Sequence, residues 1–447
     1  MQHPSKGLVT LGKRVAGLFL AAAFSFGPVA TAQAQDVDWL PFNKKPQRSV
    51  NEEGKRAPEQ VNDLRPGNLP LRSDEMLRAL ERAIERYQDI ASAGGWPKIP
   101  DTRSIRLDDD DERIPLLRRR LAATGELREK TASVGLFSGG GGDLEAAIKL
   151  YQENNGLRPT GRADKYTIQS MNISAQARVA QLRLNLQRLR DLVNMRMEER
   201  YILVNSAAFQ LEAVERGEVE QRHRVIVGKP ERQTPTVKAQ VRALNFFPYW
   251  RVPESVAHLD LIPRLQKEPE YLQKEQIRVL TGSFNGPELS ASSIDWRQAD
   301  AHKIKFRQDP GPQNALGLLR LDMPNEHGVY MHDTPMKQLF AQRGRSFSAG
   351  CVRVQDVFKL GEWVAKHEPG WGEPGRVQDV IDRGQPLDLT LTRPVPVYFT
   401  YVTAWAEPDG RVQLRPDIYG RDGVRELHPG QERDPADGPA PAFALAP

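Results

Sequence analysis

The sequence predicts an α+β multidomain protein in which a helical region precedes a mostly-β domain. Before about residue 200, apolar residues recur every three or four positions, which is the spacing of a buried helix face. After Tyr201 the texture changes to short runs rich in β-branched and aromatic residues, such as Tyr201–Asn205 and Arg224–Gly228. Between Pro253 and Ser293 the sequence becomes charged and helical again, which indicates a helical insertion, or lid, in the β domain.

Four stretches in the helical region have the periodicity of helices. The first runs from Asp74 to Ala91, with Ser73 as a suitable N-cap. The second begins near Leu116, and the third starts at Asp143 and leads into a glycine-punctuated turn. The fourth, Ala177–Val193, carries several arginines, which we expect on its solvated face.

The first 34 residues have the pattern of a secretory signal peptide. Basic residues precede an apolar run from Val15 to Phe26, and Ala32 and Ala34 supply the small residues of a cleavage site. The run is shorter than the roughly 20 residues that cross a bilayer. We therefore expect export with no stable membrane span after cleavage; an uncleaved anchor is the alternative.

The net charge gives no reason to expect a nucleic-acid partner. The chain carries +5, and its first 34 residues hold three basic and no acidic side chains, so removing them leaves +2. No basic stripe follows one face of a helix or strand.

The chain has one cysteine, Cys351, which cannot form an internal disulfide. Three interpretations are open for a lone cysteine in an exported chain: a small buried hydrophobe, an intermolecular bridge or a nucleophile. Its neighbours in sequence decide among them.

The residues that can carry chemistry lie between Tyr330 and Arg353. His332 precedes Cys351 by 19 positions, and Cys351 lies in the sequence Ser348-Ala349-Gly350-Cys351-Val352-Arg353. A thiol attacks a carbonyl as thiolate, and imidazole is suited to remove its proton near neutral pH. Small residues before the cysteine let a carbonyl approach backbone N–H groups, and Arg353 adds positive potential that favours the thiolate.

Asp333 and a second histidine, His327, raise two further questions. Adjacent strand residues face opposite ways, so we expect Asp333 to be exposed to solvent and not to orient the imidazole of His332. The five-residue spacing of the two histidines fits neither a strand face nor a helix face, and we expect no metal site and no cofactor.

The His and Ser-x-Gly-Cys-Val-Arg pattern resembles the signature of the YkuD-type L,D-transpeptidase family. Gly94–Pro97, Phe247–Pro253 and Pro396–Trp405 are similar to the long periplasmic YcbB-like branch of that family. Gln152, the Gly156-Leu157 pair and Met171-Asn172 resemble the pattern of a small helical peptidoglycan-binding domain, here either a binder or a spacer.

The resemblance implies an acyltransferase of the periplasm whose partners are peptidoglycan stem peptides. Cys351 would attack the third residue of a tetrapeptide stem and release D-Ala, with His332 as base, and the amine of a second stem would complete a 3→3 cross-link. The residues implied to stabilise the oxyanion or contact the substrate are Ser348, Gly350, Arg353, Tyr330 and Trp250. The alternatives are an L,D-carboxypeptidase, with water as acceptor, and a non-catalytic peptidoglycan-binding scaffold.

These interpretations divide the chain into consecutive parts. The predicted parts are a signal peptide (1–34), a flexible lead (35–72), a helical scaffold (73–111), a peptidoglycan-binding-like domain (112–174), a scaffold helix (175–197), a catalytic domain (198–424) with its lid at about 254–293, and a disordered tail (425–447).

Overall fold

The structure is a computed structural model that describes residues 63–107, 110–127, 141–196 and 198–427. The predicted signal peptide, most of the predicted lead and most of the predicted tail lie outside the described residues. None of the helices within these ranges is both long and apolar enough to span a membrane.

Within the described ranges the helical region contains the four predicted helices and one further short helix. They are α1 (Asp74–Ser92), α2 (Ile114–Thr124), α3 (Gly141–Asn154), α4 (Lys165–Met171) and α5 (Ala175–Asn194). Ser73 caps α1 as predicted, because its side chain accepts a hydrogen bond from the Met76 N–H. The predicted solvated face of α5 is wrong for Arg178, which is buried and donates to Gln181 (2.8 Å).

The β domain is built from strands that are short except for three long ones. Within the described residues they are β1 (Arg200–Asn205), β2 (Gln210–Glu215), β3 (Glu218–Gly228), β4 (Val237–Phe246), β5 (Trp250–Arg251), β6 (Ile277–Thr281), β7 (Glu288–Leu289), β8 (Ile304–Gln308), β9 (Leu319–Asp322), β10 (Met331–His332), β11 (Ser346–Ser348), β12 (Val352–Val354), β13 (Leu387–Thr400), β14 (Ala404–Ala406) and β15 (Val412–Leu414).

The main sheet of the described chain has nine strands in the order β11-β3-β12-β10-β9-β4-β13-β1-β2. Strand β2 also pairs with β3, so the sheet closes on itself. Alternate residues of its strands face one core, which includes Val204, Leu244, Met331 and Val352. Two helices that follow β12, α9 (Val357–Ala365) and α10 (Arg376–Arg383), pack against this core. The prediction of a mostly-β domain after a helical region is confirmed.

The insertion in the β domain contains helices and a small sheet. Helical turns span α6 (Glu254–Val256), a π-helical turn (Ala257–Leu261), α7 (Ile262–Leu265) and α8 (Tyr271–Lys274). A four-stranded sheet in the order β5-β8-β6-β7 joins them around a separate core that includes Trp250 and Phe306. We call residues 250–308 the lid, because strand β8 closes the unit beyond the predicted end near 293.

Residues 63–72, which we call the N-terminal strap, lie in the predicted flexible lead but are folded against the β domain. Arg65 donates to Glu407 (Nε to Oε1, 2.9 Å) and to Glu212 (Nη1 to Oε1, 2.6 Å), and all three side chains are buried. Asp63 accepts from Arg224 and Arg345, both at 2.7 Å. Charged contacts with distant strands hold the strap. Its sequence has no apolar periodicity, so the pattern gave no sign that it is folded.

We predict that Arg65→Ala destabilises the protein by roughly 3–5 kcal/mol, because it removes the cation paired with buried Glu407 and one of the two cations paired with buried Glu212. Denaturant unfolding followed by circular dichroism measures this loss. Arg216→Ala is the matched control, because the Arg216–Glu199 pair is exposed, and its effect should stay within about 0.5 kcal/mol. Equal effects of the two variants would contradict a structural role of the strap.

Candidate active site

The parallel pairing of β10 with β12 brings the predicted nucleophile and base to one face of the sheet. His332 pairs with Arg353 and Met331 with Val352, and the pairing continues because the Val352 N–H donates to the Tyr330 carbonyl (3.0 Å). Side chains alternate along a strand, so Tyr330 and His332 share a face with Cys351 and Arg353. Neighbouring strands lie about 4.8 Å apart and two residues advance about 6.6 Å, so Cys351 is the diagonal neighbour of His332.

The Cys351 thiol lies at the edge of the core beside Tyr330. The residue is 6% exposed. Burial raises the pKa of the thiol to about 12, although hydrogen bonds from the Tyr330 N–H and phenol and the charges of Arg353 and Arg320 act to lower it. Near neutral pH the thiol is therefore protonated at rest. The charge of Arg353 acts to lower this pKa, in the direction predicted from the sequence, but desolvation outweighs it.

The imidazole of His332 is oriented by backbone. Its Nδ1 lies 2.5 Å from the carbonyl oxygen of Asp333, a contact that assigns the proton to Nδ1 and leaves Nε2 as the nitrogen that can accept one. The ring meets the Tyr330 ring edge-on, with 5.7 Å between the centroids. Tyr330 thus contacts both the predicted nucleophile and the predicted base.

The Asp333 carboxylate binds groups other than the imidazole of His332. One oxygen accepts the Leu318 N–H (3.0 Å) and the other pairs with Lys337. A Cβ at Gly317, whose φ is +59°, would lie 2.3 Å from this carboxylate, so the turn needs glycine. The predicted exposure of Asp333 is wrong, since the residue is buried by its contacts with this turn.

The turn before Cys351 is held by hydrogen bonds of buried polar groups. Ser348 Oγ donates to the Cys351 carbonyl (2.5 Å) and accepts from the Gly350 N–H (3.1 Å). The Gly350 φ is +126°, a conformation that favours glycine. Ser348 is fully buried, and its hydroxyl holds the turn.

The Gly350–Cys351 peptide has a defined direction. Thr234 Oγ1 donates to the Gly350 carbonyl (2.9 Å), so the Cys351 N–H of the same trans peptide points away from Thr234. This N–H donates no hydrogen bond within the part of the chain that the structure describes. It is available to an oxyanion, whereas the Gly350 N–H is used by Ser348.

Two arginines extend the polar face of the sheet. Arg353 is fully buried, and burial lowers its pKa to about 10. Arg320 on β9 pairs directly with His332, and its guanidinium carbon lies 5.4 Å from the Tyr330 ring centroid. Its side chain is 28% exposed, while Nε donates to Asn245 (3.1 Å) and Nη2 pairs with Asp322 (3.1 Å). The sequence analysis missed Arg320; the alternation in Leu319-Arg320-Leu321-Asp322 shows its face but not its partner strand.

The lid covers this face. Tyr330 and Ala349 pack against the lid core, which contains Trp250. The indole N–H of Trp250 acts on the Tyr330 phenol to lower its pKa, without forming a well-aligned hydrogen bond. Burial nevertheless keeps the pKa of Tyr330 well above its usual value. Asp260 of the lid pairs with Arg232 in the loop between β3 and β4.

No group of three or more His, Cys, Asp or Glu side chains that could hold a metal ion occurs in the described ranges. His327 instead lies beside Glu326 (3.4 Å), and both side chains are exposed.

Comparison with known proteins agrees with the motif and the sheet. Residues 199–386 match the family model of the YkuD L,D-transpeptidase catalytic domain. Residues 199–386 are thus similar to a YkuD L,D-transpeptidase catalytic domain. Residues 111–171 match the model described as "Putative peptidoglycan binding domain". The family resemblance predicted from sequence is thereby confirmed.

A curated protein and a solved structure are among those similar to this chain. A Haemophilus influenzae protein named "Putative L,D-transpeptidase" is 32% identical over 264 residues, which cover 58% of this chain and 52% of that protein. The chain thus spans about half the length of this curated relative. The structure of an L,D-transpeptidase from Mycobacterium smegmatis aligns over 45% of this chain and 58% of that chain, at 13% identity and a TM-score of 0.22, which is too low to bear on the fold.

We predict that alkylation of Cys351 by iodoacetamide rises about tenfold per pH unit between pH 7 and 10, because only the thiolate reacts and its pKa is raised to about 12. Tyr330→Phe should react more slowly than wild type, since it lacks the phenol hydrogen bond that lowers this pKa. In the unfolded chain the same thiol should titrate near the ordinary value of about 8.5. A rate that levels off below pH 8 would indicate a resting thiolate–imidazolium pair and contradict the prediction.

Proposed function

We propose that this protein is an L,D-transpeptidase that forms 3→3 cross-links in peptidoglycan, with Cys351 as nucleophile and His332 as base. The observation that carries the proposal is the parallel register of β10 and β12 inside a YkuD domain, which gives His332 and Cys351 a common face. The second matched domain supports peptidoglycan as the substrate. Action on peptidoglycan implies the cell envelope, and we propose the periplasm.

In the first step, Cys351 attacks the carbonyl carbon of the third residue of a tetrapeptide stem. Because its pKa is raised to about 12, the thiol transfers its proton to His332 Nε2 as the C–S bond forms. The Cys351 N–H donates to the oxyanion. Collapse of the tetrahedral intermediate breaks the peptide bond, and the imidazolium protonates the leaving amine of D-Ala. A thioester remains on Cys351.

In the second step, the side-chain amine of another stem attacks the thioester carbonyl. His332 removes a proton from the attacking amine and returns one to the sulfur, so the enzyme is regenerated with a neutral thiol. The lid core over Tyr330 and Ala349 limits the access of water to the thioester. This favours an amine acceptor over hydrolysis, which is the carboxypeptidase alternative.

A second arginine is proposed to contact substrate beside Arg353. Arg353 is fully buried, whereas Arg320 reaches solvent on the same face, next to Tyr330. A tetrapeptide donor ends in a carboxylate close to the bond that breaks. Arginine binds carboxylates through paired N–H donors, so Arg320 is proposed to bind a carboxylate of the donor stem.

We predict that Cys351→Ala abolishes release of D-Ala from tetrapeptide muropeptides while the far-UV circular dichroism stays unchanged. Mass spectrometry of the products tests the whole proposal. Dimers together with free D-Ala support it, tripeptides without dimers identify a carboxypeptidase, and no D-Ala from wild type identifies a scaffold. Turnover retained by the variant would refute the assignment of the nucleophile.

We predict that Arg320→Gln lowers kcat/KM for tetrapeptide donors about 10- to 100-fold, the usual worth of a hydrogen bond to a charged group. Two further donors identify which carboxylate is bound: one is amidated at its C-terminus and the other on its third residue. With the donor that lacks the bound carboxylate, wild type and Arg320→Gln should have the same kcat/KM. The matched control is Arg242→Gln, an exposed arginine on neighbouring β4. An equal loss with every donor would rule out carboxylate binding by Arg320.

A further inference from the structure

A buried threonine connects the turn before Cys351 to the loop between β3 and β4. Thr234 is fully buried, and its Oγ1 donates to the Gly350 carbonyl (2.9 Å) while accepting from the Gly228 N–H (2.8 Å). We call residues 228–234 the Thr234 loop. The loop folds back tightly on itself, since a Cβ at Gly228 would lie 2.1 Å from the Arg232 carbonyl oxygen. The direction of the Gly350–Cys351 peptide therefore depends on this loop.

A segment close to the end of the described chain holds the Thr234 loop. The Tyr419 hydroxyl donates to the Gly228 carbonyl (2.7 Å) and accepts from the Thr234 N–H (3.3 Å). Arg421 donates to the Gln233 side chain (2.9 and 2.7 Å) and to the Thr234 carbonyl (3.1 Å). We call residues 417–422 the C-terminal clamp. It makes hydrogen bonds to both ends of the loop.

The clamp is held by contacts of its own. The Tyr419 ring stacks on Tyr401 (5.2 Å between centroids), and the Tyr419 N–H donates to the Tyr401 hydroxyl (3.0 Å). Tyr401 in turn donates to Asp417 (2.7 Å). Arg188 of helix α5 pairs with Asp422 at the end of the clamp (2.6 Å). The hydrogen bonds thus run from the helical region to the peptide that precedes the cysteine.

We propose that Tyr419 is a positioning residue of the active site, which acts through Thr234 to fix the direction of the Cys351 N–H. This inference rests on the proposed function, because it assigns that N–H to the oxyanion. The clamp lies outside residues 199–386, the span matched to the catalytic family. Tyr419 does not touch the substrate. It holds the donor in the direction that an oxyanion requires, and loss of one such donor costs roughly 10²- to 10³-fold in kcat.

Three variants and one control test the proposal. Tyr419→Phe keeps the ring stacked on Tyr401 and removes both hydrogen bonds to the loop. Thr234→Val removes the hydroxyl that holds the Gly350 carbonyl, and Thr234→Ser retains a hydroxyl. Tyr398→Phe is the control, since it also removes the hydroxyl of a buried tyrosine. This hydroxyl donates to Glu198, and Tyr398 lies in a different hydrophobic cluster from Tyr419. D-Ala release, the unfolding midpoint and alkylation of Cys351 are measured for each.

Tyr419→Phe and Thr234→Val should each lower kcat by about 10- to 100-fold, with KM within about twofold, because the ground-state contacts are unchanged. Thr234→Ser and Tyr398→Phe should keep at least about a third of the wild-type kcat. A kcat loss shared by Tyr398→Phe, or one that simply follows the unfolding midpoint, would mean a merely structural role and overturn the proposal.

Alkylation separates failure of this inference from failure of the proposed function. If wild type releases no D-Ala, the proposed function fails, yet a loosened turn should still raise the alkylation rate of Cys351 at pH 8 severalfold in Tyr419→Phe and Thr234→Val. The rate in Thr234→Ser should match wild type. Equal rates in all four proteins would overturn the positioning role, whatever reaction the enzyme catalyses.

Discussion

The parallel pairing of β10 with β12 is the constraint on which the site depends. Sheet side chains alternate with a period of two, so a slip of one residue would turn His332 and Cys351 to opposite faces. The register is fixed from the other side of the sheet, where Met331 and Val352 are completely buried in the main core. The apolar residues between the polar ones therefore determine which face His332 and Cys351 share. A slip would expose both of these side chains and bury their polar neighbours without the present contacts.

Burial of the site shifts the pKa values of both Cys351 and Arg353 towards their neutral forms. The same desolvation that raises the pKa of Cys351 lowers that of Arg353, so the resting site holds a neutral thiol close to a poorly solvated cation. In the proposed mechanism, negative charge develops on the oxyanion as the sulfur attacks. In a site of low dielectric constant the charge of Arg353 stabilises that change more than it would in water. A buried neutral thiol is also a poor target for oxidation, since the thiolate is the reactive form.

The sequence alone singled out Cys351 and His332 as candidate nucleophile and base because their motif is local in the chain. It predicted α1 because a cap and a periodic apolar face are local as well. It did not predict Arg320 or Tyr419, since neither local periodicity nor spacing reveals which strands become neighbours. Asp333 illustrates the same limit. Alternation indicated that its side chain faces away from His332, but burial came from a turn 15 positions earlier in the chain, where Gly317 and Leu318 lie against the carboxylate. The strap was missed because ion pairs, not periodicity, hold it.

The matched catalytic span is not a structurally independent unit in this chain. Arg65 of the strap pairs with Glu407, and Arg188 of helix α5 pairs with Asp422, so segments from both sides of residues 199–386 meet outside that span. The β14–β15 hairpin shares a core with α1 and α5, which fixes the start of the clamp relative to the helical region. Buried ion pairs contribute little net stability compared with apolar contacts, but removing one partner is costly. Such pairs therefore suit the task of holding the helical region and the C-terminal segment in one arrangement. From that segment, hydrogen bonds through Thr234 reach the peptide that precedes Cys351.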